Sequence, residues 1–273
     1  MNLYKKLSKH PYIFRQVTGV TIEHFTAILK KLRRLWRSKH LKKKEIAGRP
    51  YGVGELENHL VCLLMYYRTY ATQLFIGFNF GVDDSTACRT IKRLEPFLAK
   101  VTKIKRAPKI SQEQLETLLV DATEQSVMSS QREYYSGKKK RYTIKTEIII
   151  NKQGRIIQVS DPFPGRVHDI TIRRQSKPIP KAKSIYADGG YRGLQHEEYP
   201  NIKLPMRKPR GKPHSKEALK HNAAMQVIRS RIERKFREMK IFKLMSHTYR
   251  NSKAKYAIKV GIIAGIVNIK NGF

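Results

Sequence analysis

Residues 184–193 read SIYADGGYRG. A short apolar run stops at Asp188 and two glycines follow at once, which predicts a buried strand ended by an acid. Asp is a poor strand residue, and the chain around it is strongly basic. It carries 57 Lys and Arg against 21 Asp and Glu, a formal net charge of +36. An acid in that place either opens a turn or holds something a carboxylate holds best. Upstream, TLLVDAT (117–123) repeats the pattern, with Asp121 ending an earlier strand. Between them, RYTIKTEIII (141–150), the turn NKQG and RIIQVS (155–160) predict a β-hairpin. DITIRRQS, from Asp169, reads as a short helix with Asp169 as its N-cap. After the Pro-rich basic stretch MRKPRGKPHSKE comes a helical pattern over about 217–240. Strands with interleaved helices predict an α/β domain with a mixed sheet, covering 106–273.

Residues 1–105 read differently. Ile22, Phe25, Ile28, Leu29, Leu32 and Leu35 recur at helical spacing, predicting a helix over about 21–36. A basic linker, KHLKKKEIAGRPYGVG, follows it. Then come a helix over 56–67, a short one near 73–78, a turn at Gly81, and a helix starting after Asp84 with Asp83 or Asp84 as cap. A short helix, a Gly turn and a helix opening on Ser85, Thr86, Arg89, Lys92 and Arg93 is the layout of a helix-turn-helix. A plain three-helix bundle shows the same pattern.

Composition narrows the partners. A pI near 10.3 favours nucleic acid first and an anionic surface second. Cys62 and Cys88 form no CxxC, which argues against a disulfide framework or a structural zinc site. No signal peptide is evident at the start. The apolar stretch 256–269 is too short to span a bilayer and contains Lys259, so it reads as a buried helix. The expectation is an intracellular protein with no membrane partner.

Three acids interrupt the pattern: Asp121 and Asp188 at strand ends, and Glu233 beside the apolar stripe Ile228, Ile232, Phe236 and Met239 of the long helix. Strand ends of an α/β sheet present groups to a crevice. Carboxylates without His or Cys clusters suit Mg²⁺ or Mn²⁺, and two such ions serve phosphodiester chemistry. Each acid also has an ordinary reading. Asp121 and Asp188 suit turns, and Glu233 has Arg229 and Arg237 four residues to either side for ion pairing.

In the order strand end, strand end, helix, these acids resemble the RNase H-like DDE transposases. YSGKKKRYTIKTEIIINKQGRIIQVSDPFPGRVHDITIRRQS followed by YADGGYRG is similar to the bacterial insertion-sequence group five, and more distantly to Harbinger elements. The resemblance implies an RNase H-like fold and makes Asp121, Asp188 and Glu233 a catalytic, metal-binding triad. It implies a homodimer or higher assembly on paired transposon ends and target DNA, in the bacterial cytoplasm at the nucleoid. Group four relatives carry a Tyr, Arg, Glu, Lys signature. Arg229, Glu233 and Lys240 fall at its spacings, with Gln226 in place of the Tyr, so Arg229 and Lys240 join the DNA-contact candidates. Lys138, Lys139, Lys140 and Arg141 are phosphate candidates or a solvated patch. His168 and Asp169, which recur near the site in this family, are candidates for supporting the ligands. The rival functions are a non-catalytic, domesticated DNA-binding protein and another RNase H-like nuclease such as a junction resolvase.

Overall fold

A computed structural model describes residues 2–44, 51–104 and 110–273. The chain divides into two compact units: one of 1–103, 240–247 and 258–273, the other of 104–239 and 248–257. The expected boundary at 105/106 lies outside the described residues. The helical unit also takes in the last helix, which the sequence reading had grouped with the sheet.

The helical unit starts with α1 (Leu3–Ser8), α2 (Pro11–Thr18) and α3 (Ile22–Lys44). Pro11 sits where a missing N–H costs nothing, and Gly19 ends α2 in the left-handed region at φ 79°. α3 runs through Lys44, past the expected stop near Trp36. Its lysines are good helix formers, and no Gly or Pro interrupts them before Gly48. The rest of the expected linker lies partly outside the described residues. α4 (Leu56–Thr69) is buried almost all round and forms the centre of this unit.

Next come α5 (Gln73–Phe80) and α6 (Asp84–Val101). Thr72 caps α5 by accepting from the Phe75 amide at 3.2 Å. Gly81 turns the chain at φ 65°, and the Asp83 carboxylate caps α6. Ala87, Ile91, Leu94 and Leu98 form the buried stripe of α6.

The second unit opens with α7 (Gln112–Leu115) and β1 (Thr117–Ser126), then β2 (Tyr135–Ser136), β3 (Arg141–Asn151), β4 (Ile156–Val159) and β5 (Phe163–Pro164). The predicted hairpin is β3–β4, turning at Gly154 with φ 85°. α8 (Asp169–Gln175), β6 (Ser184–Tyr186), β7 (Ile202–Lys203) and α9 (Lys216–Lys240) follow. The sheet order is β2-β3-β1-β6-β7, with β4 and β5 also on β3. β1 pairs antiparallel with β3 and parallel with β6, and β6 pairs parallel with β7. This is the mixed sheet with helices that the alternation of strands and helices predicted. Leu118, Val120, Ile149, Ile157, Ile185 and Ala187 pack into one core.

α10 (Lys243–Ser246) and α11 (Tyr256–Lys270) close the chain. Most of α11 belongs to the helical unit, where a side chain at Gly265 would collide with the Thr102 carbonyl. Only glycine fits so close an approach. Its Lys259 is buried on Glu95, which also accepts from the Tyr67 hydroxyl at 3.0 Å. Among the described residues, no helix is long and apolar enough to cross a membrane.

Candidate active site

The parallel pairing of β1 and β6 aligns the two aspartates. Asp121 is not the expected strand end, however: β1 runs on through Ser126 because β3 keeps pairing with it, and Asp121 sits mid-strand opposite Ile148. Leu119 sits opposite Tyr186, so Asp121 and Asp188 each lie two residues beyond a paired position on adjacent strands. Side chains alternate faces along a strand. Both acids therefore share the face opposite Val120 and Ala187, which are committed to the core.

α9 covers that face with Arg229. Its guanidinium lies 3.3 Å from Asp121 Oδ2 and 3.2 Å from Asp188 Oδ1. Asp121 is largely buried and also accepts from the Ala122 amide at 2.8 Å. Burial pushes its carboxyl up to about 6, against the pull of Arg229. Asp188 is more open, its side chain 47% exposed. It opens the turn over Gly189–Tyr191, but its side chain caps nothing there, so the turn alone does not account for an acid. Gly190 is explained by proximity: a Cβ there would come 2.8 Å from Asp169 Oδ2.

Glu233 lies one turn beyond Arg229 on α9, and its Oε1 accepts from Gln226 Nε2 at 2.9 Å. Asp121 and Asp188 thus converge on one cation, while Glu233 is engaged with Gln226. Among the described residues, no three His, Cys, Asp or Glu side chains gather closely enough to grip a metal ion. The donor chemistry fits one nonetheless. Two carboxylates already hold a positive charge between them, and oxygen donors suit hard divalent cations.

The supporting residues come from β3 and α8. Asp169 is the first residue of α8 and His168 is the cap, so the expected N-cap is displaced by one position. The Asp169 carboxylate has another partner, Lys145 Nζ at 3.2 Å. Glu147, opposite Ala122 across the sheet, is 1% exposed and pairs with the buried Arg173. Burial pushes its carboxyl up to about 7 against the attraction of Arg173. The sequence reading missed Lys145, Glu147 and Arg173. A signal existed: a Lys and a Glu inside the apolar strand TIKTEIII need buried partners.

A cleft of about 490 Å³ beside β1 is lined by Lys138, Lys145, Arg166, His168, Asp169 and Gly190. Lys138 and His168 therefore meet at one opening. Lys139, Lys140 and Arg141 are exposed, with Arg141 opposite Ser136 at the start of β3. Lys240 is exposed at the end of α9.

On α6, Asp83 accepts from the Ser85 hydroxyl at 2.5 Å and from the Thr86 amide and hydroxyl at 2.6 and 2.9 Å. Arg89 donates to Thr86 Oγ1 at 2.9 Å and lies 3.9 Å from Asp83 Oδ1, with its side chain still largely exposed. Lys92 is exposed, whereas the Arg93 guanidinium stacks 4.4 Å above the Tyr51 ring.

A mixed sheet with paired carboxylates on one face, one within β1 and one just past β6, in a very basic chain that also holds a helix-turn-helix, defines a nucleic-acid nuclease of the carboxylate class. Residues 115–268 match the family described as DDE superfamily endonuclease, and residues 55–104 match the helix-turn-helix of DDE superfamily endonuclease. The chain belongs to the DDE superfamily endonucleases, enzymes that use divalent metal ions. It is 28% identical over 265 residues, 93% of each chain, to a Microchaete diplosiphon protein named a probable transposase for insertion sequence element IS702. A Streptomyces albus G protein with the same kind of name, for insertion sequence element IS112, is 29% identical over 205 residues, 72% of this chain and 73% of its own. No solved structure matches the chain.

Proposed function

We propose that the protein is an insertion-sequence transposase. It binds the terminal inverted repeats of its element, cuts the ends and joins them to target DNA, working as a homodimer or larger assembly on paired ends in the bacterial cytoplasm. The observation that carries this reading is the shared grip of Asp121 and Asp188 on Arg229, at equivalent positions of two adjacent parallel strands. Two acids kept together on one face of the sheet, in a chain of charge +36, suit chemistry on a polyanion.

In this reading Asp121, Asp188 and Glu233 hold Mg²⁺ or Mn²⁺, two ions in all. When bound, such ions activate the attacking oxygen and stabilise the leaving one. Arg229 then has a phosphate within reach as an alternative anion, and Lys240 and Lys138 to Arg141 contact the backbone nearby. His168 and Asp169 support the site from α8, Asp169 through Lys145. On α6, Ser85, Thr86 and Arg89 face base edges, and Lys92 and Arg93 face phosphates. Cutting and joining are both in-line displacements at phosphorus, so one set of carboxylates serves both steps.

The test is incubation of the protein with labelled end DNA and Mg²⁺, followed by mapping of nicks. Nicks at the element boundary and covalent joining to a second duplex are expected. Binding without any nick would overturn the reading in favour of a non-catalytic DNA-binding protein. Cutting of four-way junctions in preference to ends would favour a resolvase.

A further inference from the structure

The row of residues in register across the parallel strands does not stop at Asp188. β7 lies beside β6, with Tyr186 opposite Lys203 and the Ala187 amide donating to the Lys203 carbonyl at 3.2 Å. Pro205, two residues past Lys203, is therefore the third member of the row begun by Asp121 and Asp188. Contacts bear this out: a Cβ on Gly189 would lie 4.0 Å from Pro205. Arg192 also donates to the Pro205 carbonyl at 2.6 Å.

From Pro205 the chain enters the loop that leads into α9. Residues 199–216 contain six Lys or Arg and no Asp or Glu. Arg207, Lys208, Arg210 and Lys212 are all exposed, and none is ion-paired among the described residues. A solvated charge run on a flexible loop would need no explanation, but this loop is held. Asn222 of α9 accepts from the Met206 amide at 2.8 Å and donates to the Met206 carbonyl at 3.1 Å. Pro205, Pro209 and Pro213 restrict the backbone between. The loop curls round a hollow of about 520 Å³ lined by Arg207, Lys212 and His214, and the buried His214 Nδ1 has no hydrogen-bond partner.

We infer that residues 206–214 form a phosphate rail that grips the DNA backbone next to the bond being cut, independently of base sequence. Ordering a cationic loop beforehand lowers the entropic cost of gripping a polyanion. Its attachment to the Asp188 turn on one side and to α9 on the other places the rail alongside the acids. Cations that meet phosphate oxygens rather than base edges read charge, not sequence. The inference rests on the proposed function for its DNA, and adds a contact separate from the helix-turn-helix.

The experiment compares the full chain with a variant carrying Arg207→Gln, Lys208→Gln, Arg210→Gln and Lys212→Gln. Affinity for end DNA and for a random-sequence duplex is titrated at several salt concentrations, with thermal melts to confirm folding. Each lost phosphate contact lowers the salt slope by about 0.9. A fall of about 3 to 4 is therefore expected on both duplexes, with affinity dropping at least about tenfold and the ratio between duplexes unchanged. Arg207→Lys with Arg210→Lys keeps the charge and is expected to keep the slope. An unchanged slope in the Gln variant, or an equal loss in the Lys variant, would overturn the rail. If the wild-type chain bound neither duplex, the proposed function itself would fall, which sets the two failures apart.

Discussion

Arg229 lies 3.2 Å from Asp188 and reaches Asp121, at 3.3 Å, with the other arm of the same guanidinium. A planar fork suits two carboxylates better than an ammonium does. Arg229→Met should leave two acids facing each other without a cation. Fully buried pairs broken in this way cost about 3–5 kcal/mol. Asp188 is open to water, so about 2 kcal/mol is the better expectation. The same variant frees the carboxylates for a divalent ion, so Mn²⁺ should raise its melting temperature more than it raises that of the wild type. Equal shifts in the two proteins would mean that Arg229 does not compete for the site.

The acids should separate chemistry from binding. Asp188→Asn and Glu233→Gln each remove a negative charge and leave the basic surface and α6 in place. Nicking is expected to fall by orders of magnitude while affinity for end DNA changes little. Either variant cutting at the wild-type rate in a gel assay would remove that residue from the site.

Metal dependence follows from the oxygen donors. Nicking should require Mg²⁺ or Mn²⁺, stop in excess EDTA and resume when Mg²⁺ is restored. Ca²⁺ is larger and more loosely coordinated, so it should permit binding without cutting. Efficient cutting in EDTA would sink this expectation.

The sequence made the two aspartates legible because a single acid ending an apolar run stands out against the pattern. Their alignment was not legible, since register between strands far apart in the chain depends on packing rather than on local residues. Arg229 was readable as an ion-pair partner for Glu233, four residues on, and by resemblance as a DNA contact, but not as a partner of the aspartates, because neighbours on a helix are the pairs a sequence displays. In the fold that pairing is absent: Arg229 turns to the sheet and Glu233 takes Gln226. The stretch 256–269 was recognisable as a buried helix, but an apolar pattern carries no record of which core it enters. The Asp169 cap was off by one residue, the ordinary uncertainty at a helix end.

Acid should loosen the start of α6 in a predictable window. The Ser85 hydroxyl, then the Thr86 amide and hydroxyl, donate to Asp83 and hold its carboxyl well below the usual range. A depressed carboxylate contributes its stability above the unfolded value of about 3.9 and loses it as pH falls further. The melting-temperature gap between wild type and Asp83→Asn should therefore stay level from pH 8 to about 5 and shrink below about 4. A gap that grew on acidification would contradict the capping role.

The recognition reading of α6 turns on Arg89 and Lys92. Arg89 is one turn into the helix, its side chain 61% exposed and steadied by Thr86 Oγ1 at 2.9 Å. Ser85 and Thr86 both spend their hydroxyl protons on Asp83, so toward a base edge they offer acceptors. Arg89 is then the donor best placed to distinguish bases, guanine above all. Arg89→Ala should cost about 1–3 kcal/mol on the cognate end and much less on random DNA, lowering the specificity ratio. Lys92 lies nearly a turn further on and is exposed. Lys92→Ala should weaken both duplexes alike and reduce the salt slope by about one. Arg93, already stacked on Tyr51, should show a mixed outcome, with some loss of stability alongside any loss of slope. If α6 only packs within a bundle, Arg89→Ala will leave the ratio of end to random binding unchanged. Titrations on both duplexes at two salt concentrations decide between the two.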